Sequence, residues 1–329
     1  MFFKYLLSIL LAHNLLLSCA SAAVHGQHAH SVDTLERDSD GSFRARDYEH
    51  YSDSGHNSEF DHEAILGSVR EAEEFDKLSP EESKRRLGQL LNKMDFNGDG
   101  LIDRLELKKW ILKSFINLSR EEAQERLLEA DDDRDGAVTW HEYLHDSFGV
   151  DSEDDVGPDD TGDSGMLLQE EKSMWATADA NSDGKLELDE FEVFTNPEEH
   201  EKMHPYLINQ TLREKDVNKD GKIDFNEYVG DRGSQQDKGW LISEKDKFDN
   251  DLDLNKDGVI DVTEIHAWII PNNEEIAEEE VDHLFASADD DHDDILTFEE
   301  ILQHHDVFVG SEATDYGSDL MGDHFDDEL

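Results

Sequence analysis

Apolar residues along this chain fall into short stripes at helical spacing, separated by strongly polar stretches. Ser79-Pro80-Glu81-Glu82 reads as an N-cap, a proline at the first helical position and a capping-box Glu, and Leu87, Leu90, Leu91 and Met94 follow on one helical face. Ser119 with Glu122 repeats the box and predicts a fresh helix there, and Asn196-Pro197-Glu198-Glu199 carries a similar signal. Trp110 and Ile111, Phe191 and Phe194, then Ile265, Trp268 and Ile269 mark further helices, the last stopped by Pro271. These aromatic stripes read as core. Pro205 predicts a kinked or late-starting helix.

Between the stripes, one polar pattern recurs six times. Asp opens a twelve-residue stretch, oxygen side chains stand third and fifth, and Glu closes it, which is the ligand order of an EF-hand calcium loop. Calcium takes six to eight hard oxygens: side chains at positions 1, 3, 5 and 9, the backbone carbonyl at 7, and both oxygens of the final Glu. The first loop offers Asp95, Asn97, Asp99, Leu101, Asp103 and Glu106, and the second Asp131, Asp133, Asp135, Ala137, Thr139 and Glu142. The third offers Asp179, Asn181, Asp183, Lys185, Glu187 and Glu190, and the fourth Asp216, Asn218, Asp220, Lys222, Asp224 and Glu227. The fifth offers Asp253, Asn255, Asp257, Val259, Asp261 and Glu264, and the sixth Asp289, Asp291, Asp293, Ile295, Thr297 and Glu300. Since position 7 gives only its carbonyl, its side chain is read as uninformative. Loops one to five carry Gly at position 6, where the backbone needs positive φ, but loop six carries Asp294 and is expected to bind more weakly.

An acidic chain produces such strings by chance, but not with an apolar residue at position 8 every time: Ile102, Val138, Leu186, Ile223, Ile260 and Leu296. Loop starts are separated by 36, 48, 37, 37 and 36 residues. The one long interval holds an acidic linker, residues 151–165, with no apolar face to bury. The expected fold is therefore all-α, six EF-hands in three helical pairs with a disordered N-terminal segment and acidic linkers. The spacing groups loops one with two (79–150), three with four (166–232) and five with six (233–310), after a largely disordered 23–78 and before an acidic tail, 311–329.

Composition adds to this picture. Apolar residues are only 36% of the chain, so each unit has a thin core. Without Lys4 the mature chain has 28 basic residues against 84 acidic ones, a net charge of −56, which six calcium ions would bring to −44. A metal-free chain so charged repels itself, so calcium is expected to drive much of the folding, at apparent affinities of roughly 10⁻⁴ to 10⁻³ M. Direct nucleic-acid binding is not expected, because it rests on Lys and Arg neutralising phosphates. Nothing supports an enzyme, because there is no phosphate-cradling glycine loop and no cysteine beyond Cys19, and the carboxylates of so acidic a chain single out no acid and base. The five methionines after the leader, Met94, Met166, Met174, Met203 and Met321, are too few for Met-lined peptide grooves in six hands.

The ends carry the address. Lys4, the apolar run Tyr5 to Leu17 and the small residues Ala20-Ser21-Ala22 read as a secretory signal peptide, residues 1–22, and no later stretch spans a membrane. Cys19 leaves with it, so calcium must serve where disulfides otherwise would. Asp326-Asp327-Glu328-Leu329 resembles the KDEL and HDEL retrieval signals with Asp in first place, predicting the endoplasmic reticulum lumen with some passage to the Golgi or outside. Asn117-Leu118-Ser119, placed between helices, and Asn209-Gln210-Thr211, within one, are glycosylation acceptors that suit that compartment. His25, His28 and His30 sit in the polar tract 23–57 and read as part of it rather than as a metal site, and His304-His305 reads as a helix end.

Several EF-hands behind a leader, no mature cysteine and a retrieval-like tail resemble the CREC group, the reticulocalbin and calumenin family. Asp61-His62-Glu63-Ala64-Ile65-Leu66-Gly67, Leu78-Ser79-Pro80-Glu81-Glu82-Ser83 and Asn226-Glu227-Tyr228-Val229-Gly230-Asp231 are similar to stretches of that family. The resemblance implies a non-enzymatic, low-affinity Ca2+ binder of the secretory pathway that buffers calcium or acts on folding and sorting of client proteins. The alternative is an acidic binder of basic proteins outside the lumen, nuclear partners included.

Overall fold

Ser79 starts the first EF-hand as its sequence predicts. In the computed structural model, which describes residues 38–310 apart from 39, 49, 53–54 and 156–163, its side chain accepts from the Glu82 amide. Two short strands, β1 (Tyr51–Ser52) and β2 (Gly55–His56), form a hairpin ahead of it, followed by helices α1 (Ser58–Leu66) and α2 (Val69–Asp76). The first hand is then α3 (Pro80–Met94), its loop with β3 (Leu101–Ile102), and α4 (Arg104–Ala130). The second loop carries β4 (Ala137–Thr139) and leaves through α5 (Trp140–Phe148), and the third runs α6 (Ser164–Ala178), β5 (Lys185–Glu187), α7 (Leu188–Thr195). The fourth runs α8 (His204–Lys215), β6 (Ile223–Asp224), α9 (Phe225–Val229), and a turn of helix α10 (Arg232–Gln235) leads into α11 (Lys238–Lys247). The fifth loop has β7 (Val259–Ile260) and exits through α12 (Val262–Ile269). The sixth runs α13 (Asn273–Ala288), β8 (Leu296–Thr297), α14 (Phe298–Gln303), closed by α15 (His305–Val309).

The hands do form three pairs, joined by short antiparallel bridges through the apolar position 8, but the partners differ from those the spacing suggested. Ile102 of loop one pairs with Leu296 of loop six, Val138 of loop two with Leu186 of loop three, and Ile223 of loop four with Ile260 of loop five. The cause is α4. Ser119 does not cap a new helix; α4 is one rod of 27 residues that serves as both the exit of hand one and the entry of hand two. At 1.5 Å per residue it holds loops one and two about 40 Å apart. Loop two turns back to loop three instead, using the slack of the long interval between them, and loop one is left for loop six.

Three cores follow the same pairing. One joins hands one and six, with Met94, Ile102, Phe115, Leu284, Phe285 and Leu296 among its fully or nearly fully buried members. A second joins hands two and three through Val138, Tyr143, Trp175, Leu186 and Phe194. The third joins four and five through Leu207, Ile223, Tyr228, Phe248, Ile260 and Trp268. The aromatic stripes are core, as their spacing predicts.

Residues 23–78 were expected to be largely disordered, yet much of the second half of that segment is packed. Ala64, Ile65 and Leu66 of α1 and Phe75 of α2 belong to the core of hands one and six, and the Trp110 indole donates to the Ile65 carbonyl at 2.7 Å. Farther upstream Phe43 enters the core of hands four and five, and its amide donates to the Ile269 carbonyl. The polar count of this segment hid a few apolar residues that enter the cores, among them Phe43, Ile65 and Phe75. Within the acidic linker, Glu153 accepts from the Trp140 indole at 2.9 Å and from Lys172, so its first residues are docked. Asn196 to Glu199 gives only a 3-10 turn, and the following helix starts at His204 with Pro205 in its first turn, the delayed start expected of that proline.

Candidate calcium centres

Each loop is tied by the same internal hydrogen bonds, and these aim its oxygens inward. The position 6 amide donates to the second carboxylate oxygen of position 1 in all six: Gly100 to Asp95 and Gly136 to Asp131 at 2.9 Å, Gly184 to Asp179 at 3.0 Å, Gly221 to Asp216 and Gly258 to Asp253 at 2.8 Å, Asp294 to Asp289 at 3.0 Å. The position 5 amide donates to the position 3 side chain, as Asp99 does to Asn97 at 2.8 Å and Asp293 to Asp291 at 3.2 Å. The position 7 amide donates to position 5, fixing the adjoining carbonyl.

Position 9 has two tasks. Asp103, Thr139, Asp224, Asp261 and Thr297 each cap the exiting helix in a reciprocal box with the Glu three residues on, Glu106, Glu142, Glu227, Glu264 and Glu300. That box fixes the rotamer of the closing Glu before any ion arrives. Glu187 of loop three makes no such bond. The capping box was legible in the sequence, because positions 9 and 12 are three apart with the required residue types. Burial would lift the Glu142 carboxyl, but bonds from Thr139 and the Asp133 amide outweigh it and hold the group below the usual range.

The donor set fits calcium. Every side chain offered is an oxygen ligand, and in loops two and six one carboxylate oxygen each from positions 1, 3 and 12 lies within 4.8 Å of the others, the span a cation with 2.3–2.6 Å bonds needs. Asp131, Asp253, Glu106, Glu142 and Glu264 are buried carboxylates whose charges call for a cation. Loop six reproduces the turn: Asp294 takes φ 65°, beside 82° to 90° at most of the corresponding glycines. Position 4 adopts positive φ as well, at Arg134, Ser182, Lys219, Lys256 and His292, a feature that sequence reasoning passed over because no residue type marks it.

Position 7 side chains are not idle, contrary to expectation. Lys185 reaches across the pair to Asp135 of loop two at 2.9 Å, and Lys222 to Asp257 of loop five at 3.4 Å. The bond with Lys185 is the main reason the Asp135 carboxyl lies below its ordinary range. In the third pair the link comes from Arg104, at position 10 of loop one, to Asp294. Each pair thus has a cation bridging two loops next to the ligands.

Both glycosylation acceptors lie on helices with exposed side chains. Asn117 is in the middle of α4 rather than between helices, and its partner Ser119 is buried and bonded to the Phe115 carbonyl and Glu199. Asn209 lies in α8, as expected. The leader, His25, His28 and His30, residues 156–163 of the linker and the tail with Asp326 to Leu329 lie outside the described residues.

Paired helix-loop-helix units with oxygen-lined loops define a multiple-EF-hand calcium-binding protein. A family model described as an EF-hand domain pair matches residues 84–146, 169–230 and 245–304. Reticulocalbin-2 of Mus musculus is 39% identical over 290 residues, covering 85% of this chain and 90% of that protein. Reticulocalbin-2 of Crotalus adamanteus is 37% identical over 274 residues (80% and 89%), and that of Rattus norvegicus 38% over 290 (85% and 90%). The chain belongs to the reticulocalbin group of the CREC family, and it binds calcium. No helix among the described residues is long and apolar enough to cross a membrane.

Proposed function

We propose that this protein works in the lumen of the secretory pathway as a low-affinity calcium buffer and a calcium-dependent regulator of client folding and sorting, without enzymatic activity. The thirty-six loop residues named above are its ligands. The observation that carries the regulatory half is the pairing of the first loop with the last. Loops one and six close the chain on itself, so calcium at either one bears on the packing of both ends of the folded region. A buffer alone needs no such closure. The lumen is supported by the leader, the retrieval-like tail and the kinship with reticulocalbins; passage to the Golgi or outside follows if the Asp in DDEL weakens retrieval. Asn117 and Asn209 remain the proposed glycan acceptors.

The test is capture of lumenal neighbours by the mature chain in millimolar calcium and in chelator, with Glu→Gln at position 12 of every loop as control. Clients held in calcium and lost in both controls support regulation, and no client in any condition leaves buffering alone. Capture of basic proteins regardless of calcium would instead favour the reading on which net charge is the binding determinant.

A further inference from the structure

Outside the six loops, three histidines and a carboxylate converge on one point. His50 Nε2 lies 2.7 Å from Asp61 Oδ1, His56 Nε2 lies 3.1 Å from Asp61 Oδ2, and His283 Nε2 lies 3.5 Å from the same oxygen. His50 Nε2 and His56 Nε2 are 3.0 Å apart, and one ligand atom from each of the four residues lies within 4.8 Å of all the rest. Asp61 is fully buried and His50 nearly so, while His56 and His283 are partly exposed at the rim. The residues come from three segments, the β1–β2 hairpin, α1 and α13, so chance proximity along one element does not explain them.

The second observation is what the carboxylates lack. Neither oxygen of Asp61, nor either oxygen of the buried Glu280 alongside, accepts a hydrogen bond, despite the imidazoles at such short range. The His50 and His56 nitrogens are in hydrogen-bond contact with each other, while the Asp61 and Glu280 oxygens and the His283 Nε2 beside them receive no aligned partner. In a tetrahedral site with bonds of about 2.0–2.1 Å, neighbouring ligand atoms stand roughly 3.3 Å apart. The separations of 2.7 to 3.5 Å bracket that value.

We propose that His50, His56, Asp61 and His283 form a structural site for a divalent transition-metal cation of the zinc class. Three imidazoles and one carboxylate suit such a borderline ion and not calcium, which wants oxygens. Glu280, whose Oε2 is 3.7 Å from His50 Nε2, completes the charge balance, because Asp61 and Glu280 together match a dication. Left without a cation, burial and the Asp61 charge push the Glu280 carboxyl up to about 9. The site staples the N-terminal hairpin to the entering helix of hand six, in a chain whose mature form has no cysteine for a disulfide.

The test uses the full mature chain in excess calcium, so that the loops are filled, titrated with Zn2+ and with Co2+ as a visible probe. One equivalent of Co2+ should bind with the intense absorption of a four-coordinate site and be displaced by one equivalent of Zn2+. His56→Gln and His283→Gln, both at the exposed rim, should weaken binding at least about tenfold. A triple variant, His25→Gln with His28→Gln and His30→Gln, should bind as the parent does. If either rim variant loses calcium-loaded helicity, Zn2+ protection of His56 and His283 from carbethoxylation in the parent chain gives the readout. Absence of stoichiometric binding, binding that survives both rim substitutions, or no protection overturns the proposal, as does loss of binding in the triple variant.

Discussion

The Arg104 guanidinium of the first hand binds Asp294 of the sixth across 190 residues of sequence, and Asp294 is the residue that replaces the turn glycine. Asp294 therefore has two opposing effects. Its φ of 65° costs a non-glycine residue about 1 kcal/mol, while its exposed ion pair with Arg104 returns about 0–1 kcal/mol. The expected result is that Asp294→Gly tightens calcium at loop six about two- to fivefold, whereas Arg104→Ala changes that site's affinity less than twofold. A site-resolved calcium titration by NMR checks both, and no tightening in Asp294→Gly would remove the strain account of this loop.

Pairing should be visible as coupling. Glu106→Gln is expected to abolish calcium binding at loop one and to weaken loop six, which shares its bridge and core, while loop two, at the far end of α4, keeps its affinity. A coupling of about 1 kcal/mol, or roughly fivefold, is typical for joined sites. Site-resolved titration of this single variant decides between the two pairings, since the order of loops along the chain would put the loss at loop two.

The same contrast shows what could be read from the sequence. The presence of EF-hand loops was legible, because residue type and spacing are set locally: the run from Asp95 to Glu106 can be recognised without knowing anything distant. Partner choice could not be read, because it turns on whether residues 115–120 break a helix. Ser119 and Glu122 look like a start signal, but the Ser119 hydroxyl instead donates to the Phe115 carbonyl one turn back and lies buried. Tertiary packing overrode a local preference. The metal cluster proposed at His50, His56, Asp61 and His283 was invisible for a related reason, since its residues lie on three separate elements and follow no single spacing.

Phe75 gives a direct test of order in the segment before residue 79. It is 4% exposed, in α2, against the core of hands one and six. Phe75→Ala should cost about 3 kcal/mol in calcium-loaded unfolding by denaturant, the usual scale for emptying a buried aromatic site. A disordered segment would give no change.

Asp40 anchors the N-terminal segment to hand five. Its buried carboxylate accepts from Lys247 at 2.7 Å and from the Ser42 hydroxyl and amide, while the Trp268 indole approaches at 3.4 Å. Burial alone would raise its pKa, but the bonds from Lys247 and Ser42 prevail and hold it at about 2, against an ordinary 3.8. A folded value below the unfolded one adds stability that is complete above about pH 4 and disappears as the pH falls toward 2. Asp40→Asn should therefore lose about 2 kcal/mol at pH 7 and only about a few tenths at pH 2, where the parent carboxyl is already about half protonated when folded and almost wholly so when unfolded. Parallel urea melts of parent and variant across that range remove the common effect of calcium loss in acid. A deficit that stays constant with pH would mean that the contribution of Asp40 lies in packing rather than charge.

Calcium should also decide whether the chain holds its shape. Each core is small and shared by two hands, and the loops that bring those hands together bury Asp131, Asp253, Glu106, Glu142 and Glu264. Without a cation these charges repel inside the pair, on a mature chain already at −56. The bridge strands are only two or three residues long and cannot hold two hands together unaided. Chelation at low salt is therefore expected to remove a large part of the far-ultraviolet helical signal, and calcium to restore it. Raising monovalent salt without calcium should restore only part of it, because screening relieves repulsion between exposed charges far better than between buried ones. Full helicity in chelator at low salt would show that the aromatic cores suffice and that calcium only adjusts a fold already made.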